Sequence, residues 1–588
     1  MNKLSHYFWV ALGATSITFH LVLIFSGLVP NLISRPIHMA LALPWVLVFI
    51  AKSMFHKITG AMLAACGLYA TFWIAWNADM LGDQYGFLNG GFQIGISALL
   101  LVTVLEMARR SIGWPLPLVA LLALAYGLWG QYIPGEFGHA GTPINSFLGT
   151  LTIAEGGIWG KLTGVSVSIV AIFVIFGSVL NNGEAGQGFM NVAAAAAGRM
   201  RGGAAKVSVI SSALFGSISG SASANVASTG AITLPTMIRL GYPRALAGAT
   251  EAVASSGGQI MPPLMGAGAF VMVELTGVPY TSIMSAAFPP ALLFFFAVWI
   301  GINAFSHRFE LKGLPPEQRP SARDVIITSA FFMVPFTILL WGMFISGYTP
   351  QYSASYAIFA GAMLLFLDGK PSLDLRRTIK RFESTCITAG SQIAMIASII
   401  LCASIVIGVL SITGLGIKIT SLILSGSGGQ LWPAILLTAI ACLILGMEVP
   451  TTAAYVICVS VAGPALISLR LEPLQTHLFV FWFALLSTIT PPVCGTVFIA
   501  SGMVEENWLK VAVFSMALGV GLYLIPLGMI ANPSLISLSD SPVMAFAATL
   551  KLAFALGAIS FGLIAPKPAV VRIVLVVGGG LLLFFFGV

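Results

Sequence analysis

ALFGSISGSASANVASTGAITLPTM, residues Ala213–Met237, is crowded with Gly, Ser, Thr and Asn, yet it lies in a chain of 588 residues of which 58% are hydrophobic and only 8% charged. Soluble domains carry about 25% charged residues, so this composition specifies an integral membrane protein. Small polar residues at membrane depth then need a reason. Gly and Pro interrupt the backbone ladder, lipid offers no substitute partners, and irregular backbone survives only where protein encloses it or it lines a wet cavity. The stretch reads as the tip of a helical hairpin that enters the membrane and turns back, presenting hydroxyls and freed carbonyls to something small and polar.

Apolar runs long enough, or nearly so, to cross the hydrocarbon (about 20 residues) occur at 8–29, 37–51, 59–76, 91–108, 115–132, 163–182, 245–276, 281–305, 325–346, 352–367, 384–411, 477–500, 508–530, 543–565 and 570–587. Segments 206–240 and 430–470 are less regular. The expected fold is an all-α polytopic membrane protein of about 15 transmembrane helices plus two re-entrant hairpins. MNKLSHYFWVALG opens an apolar run too long for a signal peptide and is expected to remain as the first span. Lys52, Lys57, Arg109, Arg110, Arg199, Arg201, Lys206, Arg308 to Arg323 and Lys370 to Arg381 mark cytoplasmic loops; Asp79, Asp83 and Glu136 fall outside. The same bias explains the net charge of +8 without nucleic acid.

The chain repeats itself. At an offset of 230, Gly186 falls on Gly416 and Gly216 on Gly446; at 229, Pro235 falls on Pro464, Pro262 and Pro263 on Pro491 and Pro492, and Gly266 on Gly495. Each half reads as a span, a Gly-flanked segment, a Ser/Thr-rich irregular segment and a span interrupted before a double proline (ASSGGQIMPP, LLSTITPP). Five runs separate the two irregular segments, and an odd number inverts one repeat relative to the other. Paired interrupted segments point to the binding site of a secondary transporter.

The candidate substrate- and ion-binding residues are Ser219, Gly220, Ser221, Ser223 and Asn225 at the first tip, then Ser255, Ser256, Gly257, Gly258 and Gln259 on its broken span. The second half supplies Thr451 and Thr452, with Ser487, Thr488 and Thr490. Uncharged oxygens suit a partly dehydrated Na⁺, expected at Ser221, Ser223, Asn225, Gly258, Thr451 and Thr490, whereas free N–H groups at half-helix N-termini suit a carboxylate. Glu251, early in the first broken span, and Glu448, at the second tip, are ionisable residues in membrane segments and hence coupling candidates.

The seven histidines form no H-x-x-H or HExxH pair, no GxxxxGK[ST] loop is present, and the six cysteines lie in apolar segments without CxxC spacing. No disulfide, metal cluster or organic cofactor is expected, and the energy source is a Na⁺ or H⁺ gradient or a partner. An alternative is a membrane-embedded enzyme acting on a lipid-type substrate. That enzyme calls for clustered acids, His or Cys at one depth; the chain supplies hydroxyls without a basic partner.

GSISGSASANVASTGAITLPTMIRLGYPRALAGATEAVASSGGQIMPPLMGAGAFVMVELTGVPY (Gly216–Tyr280), PTTAAYV (Pro450–Val456) and HLFVFWFALLSTITPPV (His477–Val493) resemble the permeases of tripartite ATP-independent periplasmic (TRAP) transporters, TAXI type, with fused small and large membrane subunits. The resemblance implies an elevator-type importer of a small organic acid in the inner membrane of a bacterium or archaeon. It also implies a separate periplasmic binding protein of TAXI type. In that scheme residues 1–135 are small-subunit-like scaffold helices and 136–160 a periplasmic connector. Residues 161–305 hold the first repeat, 306–383 further scaffold helices and loops, 384–530 the second repeat and 531–588 the C-terminal helices. Glu448 stands where the family pattern leads one to expect glycine, and a carboxylate there can take up a proton, which leaves Na⁺ and H⁺ both open.

Overall fold

A computed structural model describes residues 3–27, 29–368, 374–446, 450–492 and 494–585. Glu448 lies outside the described residues. Among those described, regular structure is helical throughout, and 11 helices are long and apolar enough to cross a membrane. Five of the expected runs are not among them. Pro115–Trp129, Pro350–Leu364 and Ala569–Phe585 are only 15, 15 and 17 residues long, and 245–276 and 477–500 are interrupted helices. Conversely, Thr451–Ser468, read as a hairpin arm, has the length and hydropathy of a span. The expected connector 136–160 contains a helix, Ile144–Thr152, which buries Phe147, Leu148 and Leu151. At nine residues it is too short to register as an apolar run.

Helix Leu375–Thr413 is the post of the molecule. Its 39 residues extend about 58 Å at 1.5 Å per residue, nearly twice the hydrocarbon thickness of about 30 Å. Helices Lys3–Phe25, Asn31–Pro44, Gly90–Ile112, Pro115–Trp129 and Ala171–Asn182 all pack along it.

Four elements occur in each half at nearly constant register. In the first half they are α1 (Gly203–Ser219), α2 (Ala222–Arg239), α3 (Arg244–Gly257) and α4 (Gly266–Thr276). In the second they are α5 (Leu431–Leu445), α6 (Thr451–Ser468), α7 (Pro473–Leu486) and α8 (Gly495–Val504). Pro235 and Pro464 lie inside α2 and α6, both double prolines fall in the breaks with cis peptide bonds, and Gly266 and Gly495 open α4 and α8.

Local chemistry explains the turns. Gly220 ends α1 in the left-handed region (φ +60°), and the next residue, Ser221, caps α2 by accepting the Ala224 N–H at 3.3 Å. One residue thus stops the first helix and its neighbour starts the next. The break after α7 is closed by its own hydroxyls: Ser487 donates to the Ala484 carbonyl (2.8 Å), Thr488 to Leu485 (2.7 Å) and Thr490 to Leu486 (2.7 Å). The Leu485 and Leu486 carbonyls also accept backbone N–H groups, from Thr488 (3.0 Å) and from Ile489 (3.2 Å) and Thr490 (3.1 Å), so the hydroxyls reinforce a helix end that closes on itself.

Candidate functional site

Helices α1, α2 and α3 pack mutually, as do α5, α6 and α7. The halves then interlock: α8 lies on α2 and α3, while α4 lies on α6 and α7. Each broken helix sends its second segment to the other half's hairpin.

At the centre of the first half sits the Glu251 carboxylate, fully buried. One oxygen lies 2.7 Å from the Ser208 hydroxyl and also meets Thr233; the other lies 3.1 Å from the Ser212 and Ser255 hydroxyls and meets Thr229. Each hydroxyl has one proton. Thr229 and Thr233 also reach the carbonyls of Asn225 (2.8 Å) and Thr229 (3.0 Å), and Ser212 reaches Thr229 (3.1 Å). Ser208 and Ser255 have no other acceptor among the described contacts, so their protons are committed to the carboxylate. Among the described residues no Lys, Arg or His comes within ion-pair distance of Glu251.

Ser208, Ser212 and Thr233 were not among the expected site residues. The signal was spacing: Ser208/Ser212 on α1, Thr229/Thr233 on α2 and Glu251/Ser255 on α3 are three i,i+4 pairs, each on one face of its helix.

Toward the tip, α1 and the end of α3 touch backbone to backbone. A Cβ on Gly216 would lie 2.4 Å from Gly258 Cα, and one on Gly220 would lie 2.6 Å from Gly266 Cα. Asn225 Nδ2 donates to the Ser212 carbonyl (2.9 Å) and reaches that of Ser255 at 3.5 Å; Gln259 Nε2 donates to the Gly220 carbonyl at 3.0 Å. Two buried polar atoms at this crossing have no hydrogen-bond partner among the described residues: Ser219 Oγ and Gln259 Oε1. Leaving a buried polar group unmatched costs about 1–3 kcal/mol.

The halves are joined where Ser256 Oγ meets Thr488 Oγ1 at 2.8 Å. Thr496 in turn donates to the Thr488 carbonyl at 2.7 Å. Thr490 also contacts the Tyr523 hydroxyl (2.7 Å). Ser223 is exposed, and Thr451 and Thr452 open α6 half-buried. The expected Na⁺ set is therefore brought together only in part: Asn225 and Gly258 converge with Gly216 and Ser212, while Ser221 caps α2 and Thr490 is engaged with Tyr523. The second half has its own tie between hairpin and broken helix, Tyr455 to His477 Nδ1 at 2.7 Å; Tyr455 stands among the polar residues that the sequence offers beside Thr451 and Thr452, but its pairing with His477 is not indicated there.

The chain has relatives among known transporters. Residues 99–544 match the family described as tripartite ATP-independent periplasmic transporter, DctM component. The chain is 25% identical over 341 residues to the C4-dicarboxylate TRAP transporter large permease protein DctM of Pseudomonas aeruginosa, covering 57% of this chain and 76% of that protein. It is 24% identical over 436 residues to the DctM of Vibrio cholerae (70% and 91% covered). It is also 24% identical over 370 residues to the isethionate TRAP transporter permease protein DctMQ of Oleidesulfovibrio alaskensis (61% and 56% covered). These relatives are transporter permeases and not enzymes, which sets aside the lipid-modifying alternative. TRAP permeases reside in the inner membrane and work with a periplasmic substrate-binding protein. With three-quarters of its length matched and the paired hairpins and broken helices inside that match, the chain belongs to the DctM family of TRAP transporter large permeases.

Proposed function

We propose that this permease imports a small organic acid, driven by a cation gradient, through an elevator movement of the α1–α8 unit against the remaining helices. The observation that carries this reading is the crossing of α1 with the break after α3, where Ser219 Oγ and Gln259 Oε1 are buried beside touching backbones with no hydrogen-bond partner among the described residues. Such a place suits a ligand that supplies the missing contacts. Relatives named for C4-dicarboxylates, isethionate and ectoine support a small polar substrate. The interlock of α4 with α6 and of α8 with α2 supports motion of the eight helices as one body in an inverted repeat.

Residues 1–135 are assigned the role of a fused small-subunit scaffold, supported by their packing along Leu375–Thr413, and the binding protein is assigned to the TAXI type. Of the two acids, Glu251 is assigned to holding hairpin α1–α2 on α3, and Glu448 remains the coupling candidate.

The test is uptake of labelled organic acids into proteoliposomes holding the permease and its cognate binding protein, under an imposed Na⁺ or pH gradient. Uptake driven by Na⁺ alone assigns the hydroxyl and carbonyl crossing to the ion, and uptake driven by the pH gradient alone moves coupling to Glu448. Absence of gradient-driven uptake for every acid in the panel refutes the proposal.

A smaller effect is expected at the joint between the halves. Ser256→Ala and Thr488→Val each remove the contact between the halves, worth about 1 kcal/mol between membrane helices, along with that hydroxyl's bond to a carbonyl of its own helix (Ala252 and Leu485), and should each lower uptake at least about fivefold. The double variant should lose less than the sum of the two single losses, because both changes delete the same contact. Additive losses in that cycle would show that the two hydroxyls act separately.

A further inference from the structure

A cavity lies away from the α1–α3 crossing, at one end of the N-terminal helices. Helix Asn31–Pro44 runs on into a π turn, Trp45–Phe49, and the chain then reverses into helix Met54–Trp76 beside the end of Gly90–Ile112. Between these ends opens a cavity of about 360 Å³ with Val46 and Ile50 on its wall and Lys52, His56, Arg109 and Arg110 around it.

The basic side is held in place. Arg110 donates to the carbonyls of Leu47 (2.8 Å) and His56 (2.7 Å) and to the Thr59 hydroxyl (3.1 Å), and both arginines bind the Glu106 carboxylate at 2.6 Å. A side chain on Gly60 would begin 1.9 Å from the Leu47 oxygen, so only glycine lets the helices close around Arg110. Three permanent cations thus border the cavity; the two arginines share one carboxylate, and among the described residues no acid pairs with exposed Lys52.

Beside the cavity rim Arg109 stacks 5.4 Å from the ring of exposed Trp114, which carries apolar surface outward from Val46 and Ile50. Surplus positive charge over an apolar cleft, on the side that the Lys/Arg bias assigns to the cytoplasm, matches a ligand with an anionic head and hydrocarbon tails. Anionic lipids are the chemistry available there, and basic pockets between helices bind their head groups.

We propose that this cavity binds the phosphate head group of an anionic phospholipid of the cytoplasmic leaflet, with its acyl chains leaving past Ile50 and Trp114. The test uses the full-length permease, delipidated in detergent, and follows thermal stability and native mass on titration with phosphatidylglycerol, phosphatidylcholine or inorganic phosphate. Phosphatidylglycerol is expected to raise the melting temperature and to remain bound as one copy, with phosphatidylcholine at least tenfold weaker and inorganic phosphate without effect. Lys52 is exposed, so its variants should fold: Lys52→Gln should weaken phosphatidylglycerol about fivefold and Lys52→Glu about 25-fold, at about 1 kcal/mol per charge. Equal stabilisation by both lipids, undiminished affinity in Lys52→Glu, or a shift produced by phosphate alone would each overturn the assignment.

Discussion

Glu251→Ala is expected to abolish uptake and to destabilise the assembled helices by about 3 kcal/mol. The carboxylate is the common acceptor for hydroxyls from three helices, Ser208 and Ser212 of α1, Thr229 and Thr233 of α2 and Ser255 of α3. A hydrogen bond to a charged group contributes about 1.5–3 kcal/mol, and the protons of Ser208 and Ser255 have no other described acceptor. Some of the loss is offset, because serine and threonine in helices can turn back to the carbonyl four residues earlier, and because the alanine variant no longer holds a carboxylate away from water. The net stays unfavourable because a gap is left between three packed helices. Glu251→Gln separates the two roles an acid can have here. Its amide oxygen still accepts and the hydroxyls can rotate to accept from its amide hydrogens, so the variant should fold, retain its dependence on the same cation and lose about tenfold in rate. Melting temperature and gradient-dependent uptake, measured together, check this. Full-rate uptake that no longer responds to the gradient would make Glu251 the coupling group and refute its assignment as a tie.

Much of the architecture was legible because it rests on backbone chemistry. The double prolines at 262–263 and 491–492 cannot donate to a helix, and the breaks fall there; Gly220 followed by Ser221 is a helix stop followed by a helix cap, and the hairpin turns there. The register was legible for the same reason, down to Gly266 and Gly495 each opening a helix. Less of the site could be read. A hydroxyl near a break can ligate an ion or close the helix it ends, and Ser487, Thr488 and Thr490 all close α7. Composition cannot separate these uses, since either satisfies a polar group in lipid. The Glu251 cradle is harder to read because its members stand four apart on three helices, whereas the residues of the tip adjoin one another in sequence. Tyr455 and His477, 22 positions apart, carry no local pattern at all.

Glycine matching between the repeats was also blind to which glycines the packing requires, and this yields the second large effect. Gly216→Ala is expected to reduce uptake about 10- to 100-fold, with a destabilisation of about 1–3 kcal/mol, the range for overpacking a close-fitted interior. The added methyl would stand 2.4 Å from Gly258 Cα, 3.0 Å from Gly258 C and 2.8 Å from Asn225 Nδ2. Two of these are backbone atoms, and the third is the amide that donates to the Ser212 carbonyl. None is the far end of a flexible side chain, so relief requires α1 to move off the broken helix, carrying Ser219 away from Gln259. Gly495→Ala provides the control. Gly495 matches Gly266 in the repeat, yet a Cβ there meets no atom of the described residues within 4 Å and its backbone is not left-handed, unlike Gly266 at φ +67°. Its substitution should stay within about 0.5 kcal/mol of the parent and leave uptake unchanged. Uptake by the Gly216→Ala variant at the rate of the Gly495→Ala variant would show that the α1–α3 crossing is not the transport site, whatever the unmatched atoms of Ser219 and Gln259 suggest.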